Sequence, residues 1–574
     1  MLAASTEGLD PNAFVAAVLD ARVELLAIKP LTLTMLLKLF KKESGLEGSQ
    51  LELYTRGCVL LCEENNESRR EARRVGHLNA RQRIAVAERL ASVTNLADRF
   101  AIWTAPDDGS MPDEDVPISE LSGGTERAGN DEVAVNQVNI TETLDTGLFS
   151  SRGLKRMGWA HQSYAEFLAA KHLINSGIPH ETLLGMIGHP AGGLIPQLAG
   201  AAGWLASLNS QLRRALITDH PDIILRGDLG DLSTEETAVL VDALLRFFGM
   251  GKGFRHVVEL SRHYRKLTHP GLVDQLTIAL SNGEAAIDAR IAALMIAAEC
   301  DLRAMEGVIL AIALDQGEEP DVRAHAATAL KTCGDAKARA ALLPLAAGKA
   351  GPDRDDQMKG AAIKALWPGE IPITDLLSLV TFEMNENFVG NYTYFLDYEL
   401  TPHLGKDTII PALRWVDTMV RSLAQGNHFH LRRLIDQILL KGLELADEPQ
   451  VLAIFGEVCA ICLNSQHRFV SKGMGEREDL NKRLIESTEL RRSVLRATIP
   501  YVKFYQVYVL RDFSLVIADD FDWTCATLSS ADPYVDKHED ALIEIATMLM
   551  DRDNAQNFER IYPTAVCRPK ILRA

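Results

Sequence analysis

Apolar residues recur at helical spacing through most of this chain. Phe14, Val15, Val18, Leu19, Val23, Leu25 and Leu26 predict one amphipathic helix over 11–29, with Pro11 suited to its first turn. Pro30 interrupts that pattern, and LTLTMLLKLFKK then predicts a second helix. The Gly-containing turn SGLEGS leads to a third, LELYTRGCVLLCEE, so three helices gather around one proline. ENNESRREARRVG reads as a solvated helix end or linker, and 79–93 as a further amphipathic helix. From Thr104 to Asn130 the texture turns to Pro, Asp, Gly and Ser, which predicts a long inserted loop.

After that loop, a helix is expected around Asn136–Thr146. Leu148–Phe149 and Met157–Gly158–Trp159 then flank Gly153 as the arms of a small β-hairpin, and GWAHQSYAEFLAAKHL follows as a helix. Helix, loop, helix, hairpin, helix is the order of a winged-helix domain. Beyond 177 the chain reads as helices broken by Pro and Gly. Ser233 with Glu236 three residues on marks one helix start as a capping box.

An internal repeat begins near 284. DARIAALMIA (288–297), DVRAHAATAL (321–330) and QMKGAAIKAL (357–366) align at offsets of 33 and 36 residues. Each places an Arg or Lys, namely Arg290, Arg323 and Lys359, before a run of small Ala positions that lets helices pack closely. This is the pattern of HEAT-type repeats, which stack paired helices into an α-solenoid. Residues 371–574 read as helical and irregular, with no clear fourth copy.

Composition alters this picture little. Of 574 residues, 47% are hydrophobic and 24% charged, as in ordinary globular chains. The formal charge of −18 argues against broad attraction to nucleic acid, whose phosphates it repels on average. The expected recognition helix of the winged-helix segment points the same way: it lacks Lys and Arg and carries Glu142 and Asp145. Eight scattered cysteines and an N-terminus without a basic, apolar leader predict a reducing, cytoplasmic setting, and no apolar run is long enough for a membrane span.

Motifs that carry chemistry are mostly absent. No GxxxxGK[ST] loop occurs. GMGKG at 249–253 follows a helix rather than a strand, and its spacing does not suit phosphate wrapping. SLVIADD (514–520) has the look of a strand ending in two magnesium-binding acids, but no phosphate loop precedes it; a buried strand or helix with a polar end is the plainer reading. Cys459, Cys462 and His467 offer three metal ligands where a structural zinc site needs four, so core packing is expected of these cysteines, as of Cys58 and Cys62. No nucleophile-and-base motif is present, so no catalytic and no metal-binding residue is assigned.

Two stretches carry a family resemblance. KPLTLTMLLKLF around Pro30 precedes LELYTRGCVLL with its Leu53–Tyr54 pair. About a hundred residues on comes an aromatic–x–His–x–Ser–aromatic–x–Glu–Phe–x–Ala–Ala pattern, filled by Trp159, His161, Ser163, Tyr164, Glu166, Phe167, Ala169 and Ala170. Over roughly its first third, the chain resembles the C-terminal half of a NACHT-type STAND nucleoside triphosphatase; the repeats more loosely resemble the sensor arrays that often follow. The resemblance implies a mainly α fold: a helical lid (1–75), a winged-helix domain (76–176), a helical linker (177–283), HEAT-like repeats (284–370) and a C-terminal helical region (371–574). It implies that Pro30 packs near an adenine and that His161 reaches the phosphates of bound ADP. The plain reading of His161 is a histidine hydrogen-bonded at a helix start.

The family's phosphate loop and magnesium acids lie upstream of the lid, and this sequence begins at the lid. ATP or ADP with Mg²⁺ is therefore implied only together with a nucleotide-binding core from elsewhere in a longer or split gene, or from a separate chain. The expectation is a non-catalytic regulatory and sensor module whose solenoid binds a protein ligand; the resemblance connects such proteins with bacterial signalling and defence against phage. An ATPase assembled in trans and a structural helical-repeat adaptor are the alternatives. No nucleic-acid or membrane partner is expected.

Overall fold

A computed structural model describes residues 2–21, 27, 30–63, 76–106, 109–190, 192–227, 232–251, 254–385, 387–422, 428–464, 475–502, 504–511, 514–550, 555–568 and 570–571. The fold is mainly α-helical, with six short strands among the described residues. Two compact units divide the chain, Met1–Cys300 and Asp301–Ala574, and the division falls inside the 284–370 stretch.

In the first unit, Asp10 caps the helix Pro11–Asp20 by accepting from the Asn12 N–H, and Pro11 takes the first turn. That helix ends at Asp20, short of the expected Lys29. Leu19, assigned to its apolar face, is exposed, and Val23, Leu25 and Leu26 lie outside the described residues. Helices Pro30–Glu43 and Gln50–Cys62 pack together through Met35, Leu36, Leu53 and Cys58, all buried. The approach is close enough that a Cβ on Gly57 would run into the Met35 sulfur. Ser49 and Glu52 form a capping box at the start of the second of these helices.

The expected loop of 104–130 holds over its described residues up to 114 and is corrected from Asp115 on. Strand β1 (Ala101–Trp103) is followed by β2 (Asp115–Pro117), a single helical turn Ile118–Leu121, and the hairpin β3 (Thr125–Ala128) and β4 (Asp131–Ala134). Val116, Ile118, Leu121, Ala128 and Val133 are buried. Pieces of three or four residues are too short to show a hydrophobic period, so the turn residues between them dominated the pattern. Beyond the helix Gln137–Leu144, β5 (Phe149–Ser151) and β6 (Arg156–Trp159) form the expected hairpin around Gly153. Sheet order is β2-β1-β6-β5: β1 runs parallel to β2 and antiparallel to β6, with Ile102 opposite both Val116 and Met157. Helices Ala80–Leu96 and Gln162–Asn175 pack closely on one another, and Trp159 Nε1 donates to Thr94 Oγ1 at 3.0 Å.

The remainder of this unit is helical, through Ile287–Glu299. The capping box at Ser233 and Glu236 is present at the helix Thr234–Gly249. In the repeats, buried Arg290 donates to Leu280 O (3.4 Å), at the end of the helix before its own. In the second unit, buried Arg323 donates to Ala313 O (3.1 Å) across the same ten-residue interval. Both satisfy a carbonyl that the preceding helix leaves open at its C-terminus. Lys359 departs from this scheme: its ammonium lies 4.2 Å from the Tyr392 ring centre and donates forward to Thr381. From there the second unit continues as helices, among them Lys406–Ser422, Phe429–Glu444, Pro449–Asn464 and Thr488–Thr498.

Candidate functional site

The motif around His161 begins where β6 turns into the helix Gln162–Asn175. His161 is extended (φ −147°, ψ 138°) and forms the N-cap. Its Nδ1 accepts from the Ser163 backbone N–H at 3.1 Å and lies 2.6 Å from Ser163 Oγ. The Tyr54 hydroxyl donates to that same Oγ at 3.1 Å, which turns the serine hydroxyl proton toward His161. A relay thus runs from Tyr54 through Ser163 to His161. It joins a residue of the Leu–Tyr helix to two residues of the His–x–Ser motif across 109 positions of sequence.

Packing fixes this relay. The Tyr54 ring lies 6.4 Å from Tyr164, 5.6 Å from Phe167 and 4.7 Å from Trp204, in tilted and edge-on arrangements. Tyr54, Tyr164 and Phe167 are buried. Burial holds the Tyr54 hydroxyl well above the usual tyrosine range, outweighing the hydrogen bond to Ser163, so it remains a donor at any ordinary pH. Trp204, in the helix Ala199–Leu208, completes the cluster. Nothing in the sequence marked Trp204 for this role beyond an aromatic set among small residues in LAGAAGWLASL.

His161 is thus hydrogen-bonded at a helix start, its Nδ1 accepting there. A polyphosphate needs a cradle of backbone amides and cations, and one imidazole edge falls far short of that. The residues present do not by themselves fit a nucleotide. Pro30 is the first residue of the helix Pro30–Glu43, and its side chain lies outside the described residues.

Other candidates resolve into packing. Asp520 is a correction: SLVIADD is neither a strand nor a regular helix but a turn followed by the 3₁₀ segment Ala518–Asp520. The Asp520 carboxylate is fully buried, accepting from Arg491 Nε (2.9 Å), Arg491 Nη2 (3.0 Å), Arg492 Nε (3.1 Å) and the Ile517 N–H (3.2 Å). Its lone pairs face cations of this chain, an arrangement closed to magnesium. Cys459 and Cys462 are buried within the helix Pro449–Asn464; burial pushes the Cys459 thiol up to about 12, which disfavours the thiolate a metal requires. His467 lies outside the described residues, and no cluster of His, Cys, Asp or Glu suited to a metal occurs among the described ones. Cys58 and Cys62 are also buried, and burial raises both thiols, Cys62 to about 12. In GMGKG, Gly249 closes a helix as the sequence predicts, while 252–253 lie outside the described residues.

Glu142 acts as a structural clamp. It accepts from Arg83 Nε, the His77 N–H and the Leu78 N–H, each at 2.9 Å, while Arg83 Nη1 donates to Cys62 O at 2.9 Å. These bonds tie the end of the helix Gln50–Cys62 to the helices Ala80–Leu96 and Gln137–Leu144. Among the described residues no helix is long and apolar enough to cross a membrane. Known family models, curated proteins and solved structures yield no match to this chain.

Proposed function

We propose that this chain is a non-catalytic regulatory and sensor module of the NACHT-type STAND kind: a helical lid, a winged-helix segment and a HEAT-like solenoid that works with a nucleotide-binding core supplied outside these residues. The observation that carries the reading is the Tyr54–Ser163–His161 relay. Two stretches picked out by the same family resemblance, far apart in sequence, share one half-buried hydrogen-bonded junction. Such a junction suits a switch, because a core that contacts the His161 end of the relay would bias the packing of the Tyr54 helix against the Gln162–Asn175 helix. The like-for-like role of Arg290 and Arg323 supports stacked helical pairs, on whose surface a protein ligand would bind.

Titration of the purified chain with fluorescent ADP and magnesium tests the division of labour. Negligible binding and no hydrolysis are expected; tight magnesium-dependent binding overturns the proposal. The coding DNA upstream of Met1 and the neighbouring genes supply the positive half of the test. An in-frame or adjacent phosphate-loop domain is expected, and the absence of both removes the basis for a switch.

A further inference from the structure

A cleft of about 530 Å³ opens in the first unit, well away from His161. The helices Pro30–Glu43 and Gln50–Cys62 form one wall, Ala80–Leu96 and the end of Gln162–Asn175 the other, and the β3–β4 turn lies at its edge. On the last of these helices it is reached at Lys171 and Asn175, roughly 15–20 Å along the axis from the N-cap His161. Its volume is that of a small-molecule site. Leu39, Val59, Leu60 and Ile84 give it an apolar lining.

The charges of the described lining residues do not balance. Three carboxylates line it, and each has a cation of the cleft: Glu63 meets Lys42 at 2.7 Å, Glu43 meets Arg56 at 2.8 Å, and buried Glu88 meets Lys171 at 3.0 Å. Arg81 and Arg127 also line it, and neither has a carboxylate within ion-pairing distance among the described residues. Among its described lining residues the cleft therefore holds a surplus of two arginines, on a chain whose formal charge is −18.

We infer that this cleft binds a small amphipathic organic anion, its apolar body against the Leu39–Ile84 lining and its carboxylate or phosphate at the unpaired cations of the rim, Arg81 and Arg127. Guanidinium groups suit such a ligand because they are weakly hydrated and present paired donors that match both headgroups. The inference is independent of the nucleotide reading, because it uses neither His161 nor Pro30.

The test uses the full chain with anilinonaphthalene sulfonate, an aromatic anion that fluoresces in apolar surroundings. Saturable one-to-one binding is expected, weakened at least about tenfold in the Arg81→Gln/Arg127→Gln double variant through loss of two charge-assisted contacts. Both side chains are exposed, so the variant should melt with the wild type. Displacement by decyl phosphate or decanoate, compared with neutral decanol, identifies the headgroup: either anion outcompeting decanol supports the inference, and the better of the two names the ligand class. No saturable binding by the wild type, equal binding by the double variant, or displacement by decanol as effective as by the anions overturns it.

Discussion

Tyr54 offers the sharpest test of the junction on which the functional reading rests. Tyr54→Ala removes a ring that is 2% exposed and touches Tyr164, Phe167 and Trp204, and it leaves Ser163 Oγ without its tyrosine donor. Truncating a buried aromatic to alanine costs about 3–5 kcal/mol, because the lost transfer energy is joined by a cavity that three large rings cannot easily fill. Tyr54→Phe keeps the ring and loses one hydrogen bond, a cost of about 0.5–1.5 kcal/mol. The two substitutions thus separate packing from relay. Urea unfolding followed by circular dichroism measures both. Because burial raises the Tyr54 hydroxyl pKa above its unfolded value near 10, its contribution is fully present below pH ~10 and is lost as the pH rises toward the folded value. The difference between wild type and Tyr54→Phe should accordingly be flat from pH 6 to 9. A Tyr54→Ala variant within about 1 kcal/mol of the wild type would refute the packing, and the relay with it.

Two further substitutions probe the second unit. Asp520→Ala strands the fully buried Arg491 guanidinium, which also donates to the Leu484 and Ile485 carbonyls, and should cost about 3–5 kcal/mol in denaturant unfolding; a loss below about 1 kcal/mol contradicts a closed ion pair. Burial raises the Asp520 carboxyl, but the hydrogen bonds from Arg491, Ile517 and Arg492 more than reverse this and hold it below the usual carboxylate range. Its stabilisation is therefore present above the unfolded pKa near 4 and lost as pH falls through the folded value, so the gap between variant and wild type should narrow in acid. Gly360→Ala would drive a Cβ into the Asn391–Tyr392 backbone, which has little room to retreat, and a lowered melting temperature corresponding to about 1–3 kcal/mol or more is expected; an unchanged or raised one shows that the two segments are farther apart.

Sequence alone determined what depends on neighbours along the chain. Helix starts were legible where a cap and its partner stand three residues apart, as at Ser233 and Glu236, and so was the hairpin around Gly153. The ten-residue reach of Arg290 and Arg323 was half legible: the repeat marked the positions, while the carbonyls they serve emerged only in the fold. Tertiary structure decided the rest, because it depends on which distant groups exclude water together. Residues 115–130 read as loop since each piece is too brief to show a period, and burial against other elements went with two short strands and a helical turn there. SLVIADD read as a buried strand or helix with a polar end, and only the fold brought Arg491, 29 positions before Asp520, onto that end. Tyr54, Ser163 and Trp204 acquired a common role only when three helices met, since a hydrogen bond across 109 residues leaves no periodic trace in the chain that encodes it.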